Sequence, residues 1–161
     1  MEDNSLLSLE NITMPFSLEA EQAVLGSVLV DPSCLSQAAV YISPESFYLP
    51  QHNAIFAAML MLDGMGTKID PLVVLDQLVQ QGIYDSAAGK NYLFELAQMV
   101  PSTANVEMYA KIVREKFYIR TLIKISSETI ESAVAQEETA DALLDNAEQK
   151  IYNIRQGKTT N

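Results

Sequence analysis

The feature that most constrains the fold is a long run of helical periodicity between residues 105 and 157. After the polar break at Gln136 to Glu138, apolar residues in its second half recur at alternating steps of four and three, as in a coiled-coil seam. Two antiparallel helices are therefore predicted. In the first half, apolar residues at steps of seven, four and seven form one face, which is expected to pack inward: Ile112, Ile119, Ile123 and Ile130.

This predicted hairpin carries more apolar surface than the packing of two helices requires. A second strip lies beside the inward face of the first helix, and the second helix carries the coiled-coil-like seam. Surplus apolar surface of this kind favours contact with another chain. The predicted interface residues are Tyr118, Leu122 and Ile125 on the first helix and Leu144, Ala147, Ile151 and Ile154 on the second.

The residues before the hairpin are predicted to form short helices separated by turns. Ser17 and the pair Asp70-Pro71 are typical helix starts, because their side chains can cap free backbone N–H groups. Gly26 lies within the first helix, where it lowers helix propensity, so close approach of a neighbouring helix is expected there. The stretch Ile83 to Lys90 is interpreted as a loop. Polar and β-branched residues do not alternate over the length of a strand.

These patterns together predict an all-α fold. It consists of a small globular helical bundle as a head, followed by the long antiparallel helical hairpin. The predicted divisions are a mobile tail at 1–14, the head at 15–104, the hairpin at 105–157 and the start of a linker at 158–161.

Charge and hydropathy exclude some classes of function. The net charge is −11, and residues 1–100 hold twelve acidic side chains against only Lys68 and Lys90. Nucleic-acid affinity depends on neutralising phosphates, so direct DNA binding is not expected. No apolar run approaches the roughly 20 residues that span a bilayer, and Met1 to Pro15 is acidic where a secretory signal is basic. We therefore expect a cytoplasmic protein with no membrane association.

Residues for catalysis or metal binding are sparse. Cys34 is the only cysteine, so no intramolecular disulfide can form, and His52, the only histidine, is expected to cap or pack. Gly157-Lys158-Thr159 has the last letters of a phosphate-binding loop but lacks the preceding strand and the earlier glycine. No catalytic, cofactor-binding or metal-binding residue is predicted.

One segment carries a family resemblance. The run from Pro15 to Asp31, which contains Phe16-Ser17-Leu18-Glu19-Ala20-Glu21-Gln22, resembles the opening of the N-terminal domain of bacterial replicative DNA helicases of the DnaB family. The similarity continues in order to about Ile154. Further similar segments are Pro44 to Tyr48, His52 with Ile55-Phe56, Ile69-Asp70, Gly89 to Leu93, Asn105 with Tyr109-Ala110, Ile112-Val113, Arg120 with Leu122-Ile123, and Ala147-Glu148 with Ile151.

The resemblance implies a non-catalytic collar domain of a hexameric helicase. In that family the hairpins of neighbouring subunits pair, the domains assemble as a trimer of dimers, and the collar docks the C-terminal domain of primase; a helicase loader is a further candidate partner. ATP and Mg belong to a motor domain that is absent from this sequence, so this chain alone would hydrolyse nothing, although the full-length family protein is an ATP-dependent DNA helicase. The implied primase-binding residues are Glu19, Tyr92 and Ile123; for Ile123, which also lies on the inward stripe, core packing stays open.

Other interpretations remain at this point. The helicase-binding domain at the C-terminus of a primase has a similar fold, although the run from Pro15 to Asp31 favours the helicase side. From a different class, a small helical ligand-binding protein or enzyme would need an enclosed polar pocket. A DNA-binding module is disfavoured by the acidic charge of the head.

Overall fold

The computed structural model describes residues 12–100 and 102–157. The predicted tail up to residue 11 and the predicted linker start at 158–161 lie outside these ranges. The regular elements in the described part are all helical, which confirms the predicted fold class. They are α1 (Leu18–Val30), α2 (Cys34–Ala39), α3 (Pro50–Gly64), α4 (Pro71–Gln80), α5 (Ser86–Met99), α6 (Val106–Ala135) and α7 (Ala140–Arg155), with short 3-10 turns at Pro44–Ser46 and Thr103–Asn105.

The chain divides into two compact units. The head unit is Phe16–Glu115, and the described residues of the second, the hairpin unit, are 12–15 and 116–157. The start of α6 thus belongs to the head unit. The sequence predicted a boundary between head and hairpin at residues 104 and 105. That boundary between domains remains a prediction.

Helix starts in the head unit follow the predicted capping chemistry. The hydroxyl of Ser17 accepts a hydrogen bond from the Ala20 N–H at 3.1 Å, and the Asp70 carboxylate accepts one from the Val73 N–H at 2.9 Å. These bonds satisfy backbone donors that the first turn of a helix leaves free. The apolar faces of the helices then meet in one core, whose largest members include Leu25, Ile55, Phe56, Met59, Leu78, Leu93 and Leu96.

The close approach expected at Gly26 is confirmed. A Cβ atom at this position would lie 2.2 Å from the Leu96 carbonyl oxygen and 2.4 Å from the Val100 Cγ2 atom. Real Cβ atoms do not come so near to other atoms, so only glycine lets α1 and α5 pack this closely. The helix propensity lost at Gly26 is offset by this contact.

The predicted loop from Ile83 to Lys90 is wrong in its second half, because α5 already begins at Ser86. The carboxylate of Asp85 accepts hydrogen bonds from the N–H groups of Ala87 and Ala88, at 3.0 and 2.9 Å. Asp85 is therefore the helix cap, and this is the signal that the sequence analysis passed over. Gly89 lies inside the helix, buried against Tyr84.

The hairpin unit contains the rest of α6 and α7. Gln136, just after α6, has a φ of 54°, and the hydroxyl of Thr139 caps α7 by accepting from the Ala142 N–H at 3.2 Å. Lys150 of α7 lies 3.2 Å from the Glu128 carboxylate of α6, a contact that the predicted antiparallel pairing requires. Two antiparallel helices thus form as predicted.

The predicted inward face of α6 is only partly correct. Ile119 and Ile130 are each 39% exposed, whereas Ile125, which was assigned to the second strip, is 1% exposed. Glu128, which contacts α7 through Lys150, lies one turn after Ile125 on the same side of α6. The face turned toward α7 is therefore the one that carries Ile125.

Candidate functional site

Tyr92, a predicted binding residue on α5, is held in place by side chains from two other helices. Its hydroxyl lies 2.5 Å from Nε2 of His52 on α3 and accepts a hydrogen bond from the Gln22 amide of α1 at 3.3 Å. The rings of Tyr92 and His52 are stacked, with 6° between their planes and 5.9 Å between their centroids. Both the plane of the Tyr92 ring and its hydroxyl are thereby fixed.

Behind His52 lies a buried carboxylate. Glu21 Oε1 is 2.8 Å from His52 Nδ1, and Glu21 Oε2 accepts a hydrogen bond from the backbone N–H of Tyr48 at 2.8 Å. Glu21 is 1% exposed and His52 is fully buried. A single carboxylate therefore connects α1, α3 and the turn that precedes α3.

One arrangement of protons satisfies every hydrogen bond of this set. An ionised carboxylate can only accept, so in this arrangement the Nδ1 atom of His52 donates to Glu21. With that proton on Nδ1, Nε2 is an acceptor, and the Tyr92 hydroxyl donates to it. The Tyr92 oxygen accepts in turn from Gln22. We call this chain of hydrogen bonds the Glu21–His52–Tyr92 relay.

The surroundings of the relay raise the pKa of Tyr92 above its ordinary value of 10.0. The main cause is burial, the negative charges of Glu21 and Glu95 add to it, and the hydrogen bond from Gln22 opposes it. Tyr84 also has a raised pKa, again mainly because of burial. Since Glu21 and His52 are shielded from solvent, the relay orients a tyrosine rather than presenting a base to a substrate.

His52 packs in the core, as the sequence analysis expected, but its hydrogen-bond partners were missed. Glu21 and Tyr92 lie 31 and 40 residues away from it along the chain. No local spacing joins them, because the relay depends on how α1, α3 and α5 pack together. From the sequence, Glu21 was recognised only as one of two acidic residues in the first turn of α1, and nothing indicated that it would be buried.

The predicted primase-binding residues fall in both units. Glu19 is exposed in the first turn of α1, and Tyr92 is half-buried on α5, so both belong to the head unit. These two helices are the pair that packs closely at Gly26. Ile123 is half-buried on α6 and belongs to the hairpin unit.

The predicted interface residues of the hairpin differ in exposure. Leu144, Ile151 and Leu122 are 60%, 50% and 43% exposed. The prediction that Ile125 lies in the interface is corrected. Its side chain is 1% exposed, so it is already buried within the chain and is not accessible to a partner. Tyr118, Ala147 and Ile154 are half-buried. Further exposed apolar side chains in this unit, which the sequence pattern did not assign to the interface, are Ile119, Ile130, Val134 and Tyr152.

Two other kinds of site are absent from the described residues. Within 12–100 and 102–157, no three His, Cys, Asp or Glu side chains are grouped so that they could hold a metal ion. In the same part of the chain, no helix combines the length and the apolar character that crossing a bilayer demands. The candidate functional surfaces are the head around Tyr92, whose ring is held by His52 and Gln22, and the exposed apolar side chains of the hairpin.

Comparison with known sequences places this architecture in a family. The model of the DnaB-like helicase N terminal domain matches residues 13–115. The chain is 42% identical over 144 residues to the replicative DNA helicase DnaB of Geobacillus stearothermophilus, a match covering 89% of this chain and 32% of that protein. It is 37% identical over 146 residues to the replicative DNA helicase DnaC of Bacillus subtilis (strain 168), covering 91% and 32%. The chain thus spans about a third of the length of these curated relatives.

Solved structures show the same fold. The crystal structure of the N-terminal domain of DnaB helicase from Mycobacterium tuberculosis aligns with a TM-score of 0.81 at 31% identity, covering 88% of this chain and 99% of that one. A structure described as a DnaB-like replicative helicase and its interactions with primase aligns with a TM-score of 0.69 at 28% identity, covering 86% of this chain and 31% of that one. The helices and the matched solved structure define the class as an all-helical domain. The chain belongs to the family of DnaB-like helicase N-terminal domains.

Proposed function

We propose that this chain is the N-terminal collar domain of a hexameric replicative DNA helicase, where it pairs neighbouring subunits and docks primase. The observation that carries the proposal is the alignment with the solved DnaB N-terminal domain over 99% of that domain's length. The domain itself is non-catalytic. ATP, Mg and the unwinding activity are assigned to the part of the helicase that this chain does not span.

Subunit pairing is assigned to the hairpin unit. Leu144 and Ile151 lie seven residues apart on α7, which is the spacing of one coiled-coil heptad, and both are at least half exposed. Burying such side chains against a second copy removes apolar area from water and gains about 25 cal/mol per Å². A dimer, and a trimer of dimers in the full-length hexamer, are the expected assemblies.

Primase docking is assigned to Glu19, Tyr92 and Ile123. Support comes from the accessibility of Glu19, the fixed orientation of Tyr92 and the partly exposed side chain of Ile123. A tyrosine that is already ordered makes a good binding anchor, because little side-chain entropy is lost when the partner arrives. The C-terminal domain of the cognate primase is the proposed partner, and a helicase loader is a second one.

The decisive experiment is multi-angle light scattering of the chain over a concentration series, repeated with the cognate primase C-terminal domain. A dimer or hexamer that gains mass when the primase domain is added is the expected result. A monomer at every concentration would reject subunit pairing by this chain. An unchanged mass with the primase domain would reject docking.

A variant then tests the docking surface itself. Tyr92→Ala should weaken binding of the primase domain by about tenfold or more, the range of a binding hot spot, while circular dichroism shows unchanged helical content. The matched control is Lys90→Ala, which changes an exposed residue of the same helix and should leave the affinity nearly unaltered. Equal affinities for the unaltered chain and Tyr92→Ala would remove Tyr92 from the docking surface.

A further inference from the structure

We propose that Glu21 and His52 are positioning residues that set which chemistry a partner can use at Tyr92. The inference rests on the proposed function, in which Tyr92 contacts primase. With the His52 proton on Nδ1, the hydroxyl proton of Tyr92 points inward to His52, so a partner meets the aromatic ring and an oxygen that can only accept. A partner must therefore bring an apolar group, a cation or an N–H donor to this point.

The contacts of Tyr92 restrict the rotation of its ring and the direction of its hydroxyl group. Its hydroxyl bonds to His52 at 2.5 Å and to Gln22 at 3.3 Å, while the two rings stack almost in parallel. One lone pair of the hydroxyl oxygen accepts from Gln22, which leaves one for a partner. An acceptor group, such as a carboxylate, would find no proton to bind there.

Glu21 fixes the direction of the whole relay. One of its oxygens accepts from the Tyr48 backbone N–H and the other lies 2.8 Å from His52 Nδ1, so an ionised Glu21 favours the tautomer with the imidazole proton on Nδ1. With the opposite tautomer, two acceptors would face each other at 2.8 Å inside the core, which is strongly unfavourable. The carboxylate of Glu21 thereby determines, through His52, how the Tyr92 hydroxyl is oriented.

The position of His52 allows indirect action to be separated from direct contact. His52 is fully buried, so it cannot touch a partner, and any effect of its replacement on binding must pass through neighbours. The groups that face His52 are Glu21 of α1 and Tyr92 of α5. Gln22 of α1 and Glu95 of α5 in turn act on Tyr92.

The first test is ¹⁵N NMR of the imidazole in the unaltered chain. Since His52 is the only histidine, its two ring nitrogens can be assigned without ambiguity. The expected result is a proton on Nδ1 and an acceptor-type shift for Nε2. A proton found on Nε2 would overturn the proposed direction of the relay.

The second test is a double-mutant cycle on the affinity for the cognate primase C-terminal domain. Tyr92→Phe removes only the hydroxyl, and His52→Asn keeps a donor for Glu21 while losing the link to Tyr92. Each variant is expected to bind about three- to tenfold more weakly, because the ring must be ordered on binding. The affinity of the double variant should be no lower than that of whichever single variant binds primase less tightly. Both changes remove the same hydrogen bond between His52 and Tyr92, so their effects should not add.

A matched core variant separates positioning from general destabilisation. Ile55 lies on the same helix as His52 and is equally buried, but its apolar side chain takes no part in the hydrogen bonds of the relay, so Ile55→Val leaves them in place. Its affinity for primase should match that of the unaltered chain. An equal loss of affinity in Ile55→Val and His52→Asn would overturn the positioning role, as would multiplying losses in the double variant.

The outcomes also distinguish this inference from the proposed function. If the unaltered chain does not bind the primase domain, the proposed function fails. If it binds, and Tyr92→Phe binds equally well, the function stands and the positioning inference fails. Should His52→Asn not fold, the NMR tautomer and the affinity of Tyr92→Phe decide, since neither measurement needs that variant.

Discussion

The head unit and the hairpin unit are both helical, but they place their apolar side chains differently. The head unit buries Leu25, Ile55 and Phe56 completely in one shared core. In the hairpin unit, Ile125 is buried, while Leu144 and Ile151 are at least half exposed. A bundle of several helices can cover its own apolar faces, whereas two helices can cover only the strips between them. The head unit therefore covers its own apolar faces, and the hairpin unit leaves apolar side chains exposed.

The sharpest way to break this comparison is to remove one large side chain from the head. Phe56→Ala should lower the free energy of unfolding by about 3–5 kcal/mol, because it deletes a fully buried ring and leaves a cavity. Urea denaturation followed by circular dichroism measures the loss. The matched variant in the hairpin unit is Leu144→Ala, which should change stability by about 0.5 kcal/mol or less at a protein concentration that keeps the chain monomeric. Comparable losses for both variants would refute the contrast.

A smaller effect is expected where two head helices meet. Gly26→Ala places a methyl group against the Leu96 carbonyl and should cost about 1–3 kcal/mol, since α1 and α5 must move apart. Gly64→Ala is the control, because a Cβ at the end of α3 meets nothing within 4 Å. The melting temperatures of the two variants check the prediction. If the Gly26→Ala protein is as stable as the Gly64→Ala protein, α1 and α5 are packed less closely than the Cβ distances at Gly26 imply.

A charge introduced on the exposed face of α7 tests whether the exposed apolar side chains of the hairpin unit mediate self-association. Ile151→Asp should raise the dissociation constant for self-association about tenfold or more, which corresponds to about 1.4 kcal/mol, because an aspartate is poorly tolerated in an apolar interface. Sedimentation velocity over a dilution series gives the constant. Asn146→Asp introduces the same charge at another exposed position of α7 and should have little effect. If both variants weaken association equally, net charge rather than the apolar seam is responsible.

The smallest expected effect is the dependence of head stability on alkaline pH. Burial raises the pKa of Tyr84 and Tyr92 above 10.0 in the folded chain, so the folded state holds these protons more tightly than the unfolded state. Their contribution is fully present below the unfolded pKa and is lost as pH rises through the folded pKa. The urea midpoint should therefore fall between pH about 9 and about 11, and less steeply in Tyr84→Phe. Identical slopes for Tyr84→Phe and the unaltered chain would contradict this.

The sequence was sufficient where the signal is local. Ser17 and Asp70 cap helices as predicted, because a cap depends on a side chain and the backbone within three residues of it. Asp85 obeys the same rule and was nonetheless overlooked, so the start of α5 was predicted too late. Gly26 was informative for a different reason, since a glycine within a helix needs compensation from outside that helix.

Sequence periodicity was insufficient where the answer depends on packing between elements. The spacing of apolar residues in α6 showed which of them share a face, but not which face turns toward α7; hence Ile125 is buried and Ile119 is exposed. The relay was invisible for the same reason, because Glu21, His52 and Tyr92 come from three helices whose relative register is fixed only by the fold. Family resemblance pointed to Tyr92 without indicating what holds it.

The burial of Glu21 has an evolutionary consequence. A carboxylate that is 1% exposed and loses its imidazole donor is left with an incompletely satisfied oxygen in the core, which costs about 1–3 kcal/mol. A relative that replaces the residue equivalent to His52 with an apolar one should therefore also have lost the acidic residue equivalent to Glu21. The two positions are expected to covary across the family, although 31 residues separate them in the chain.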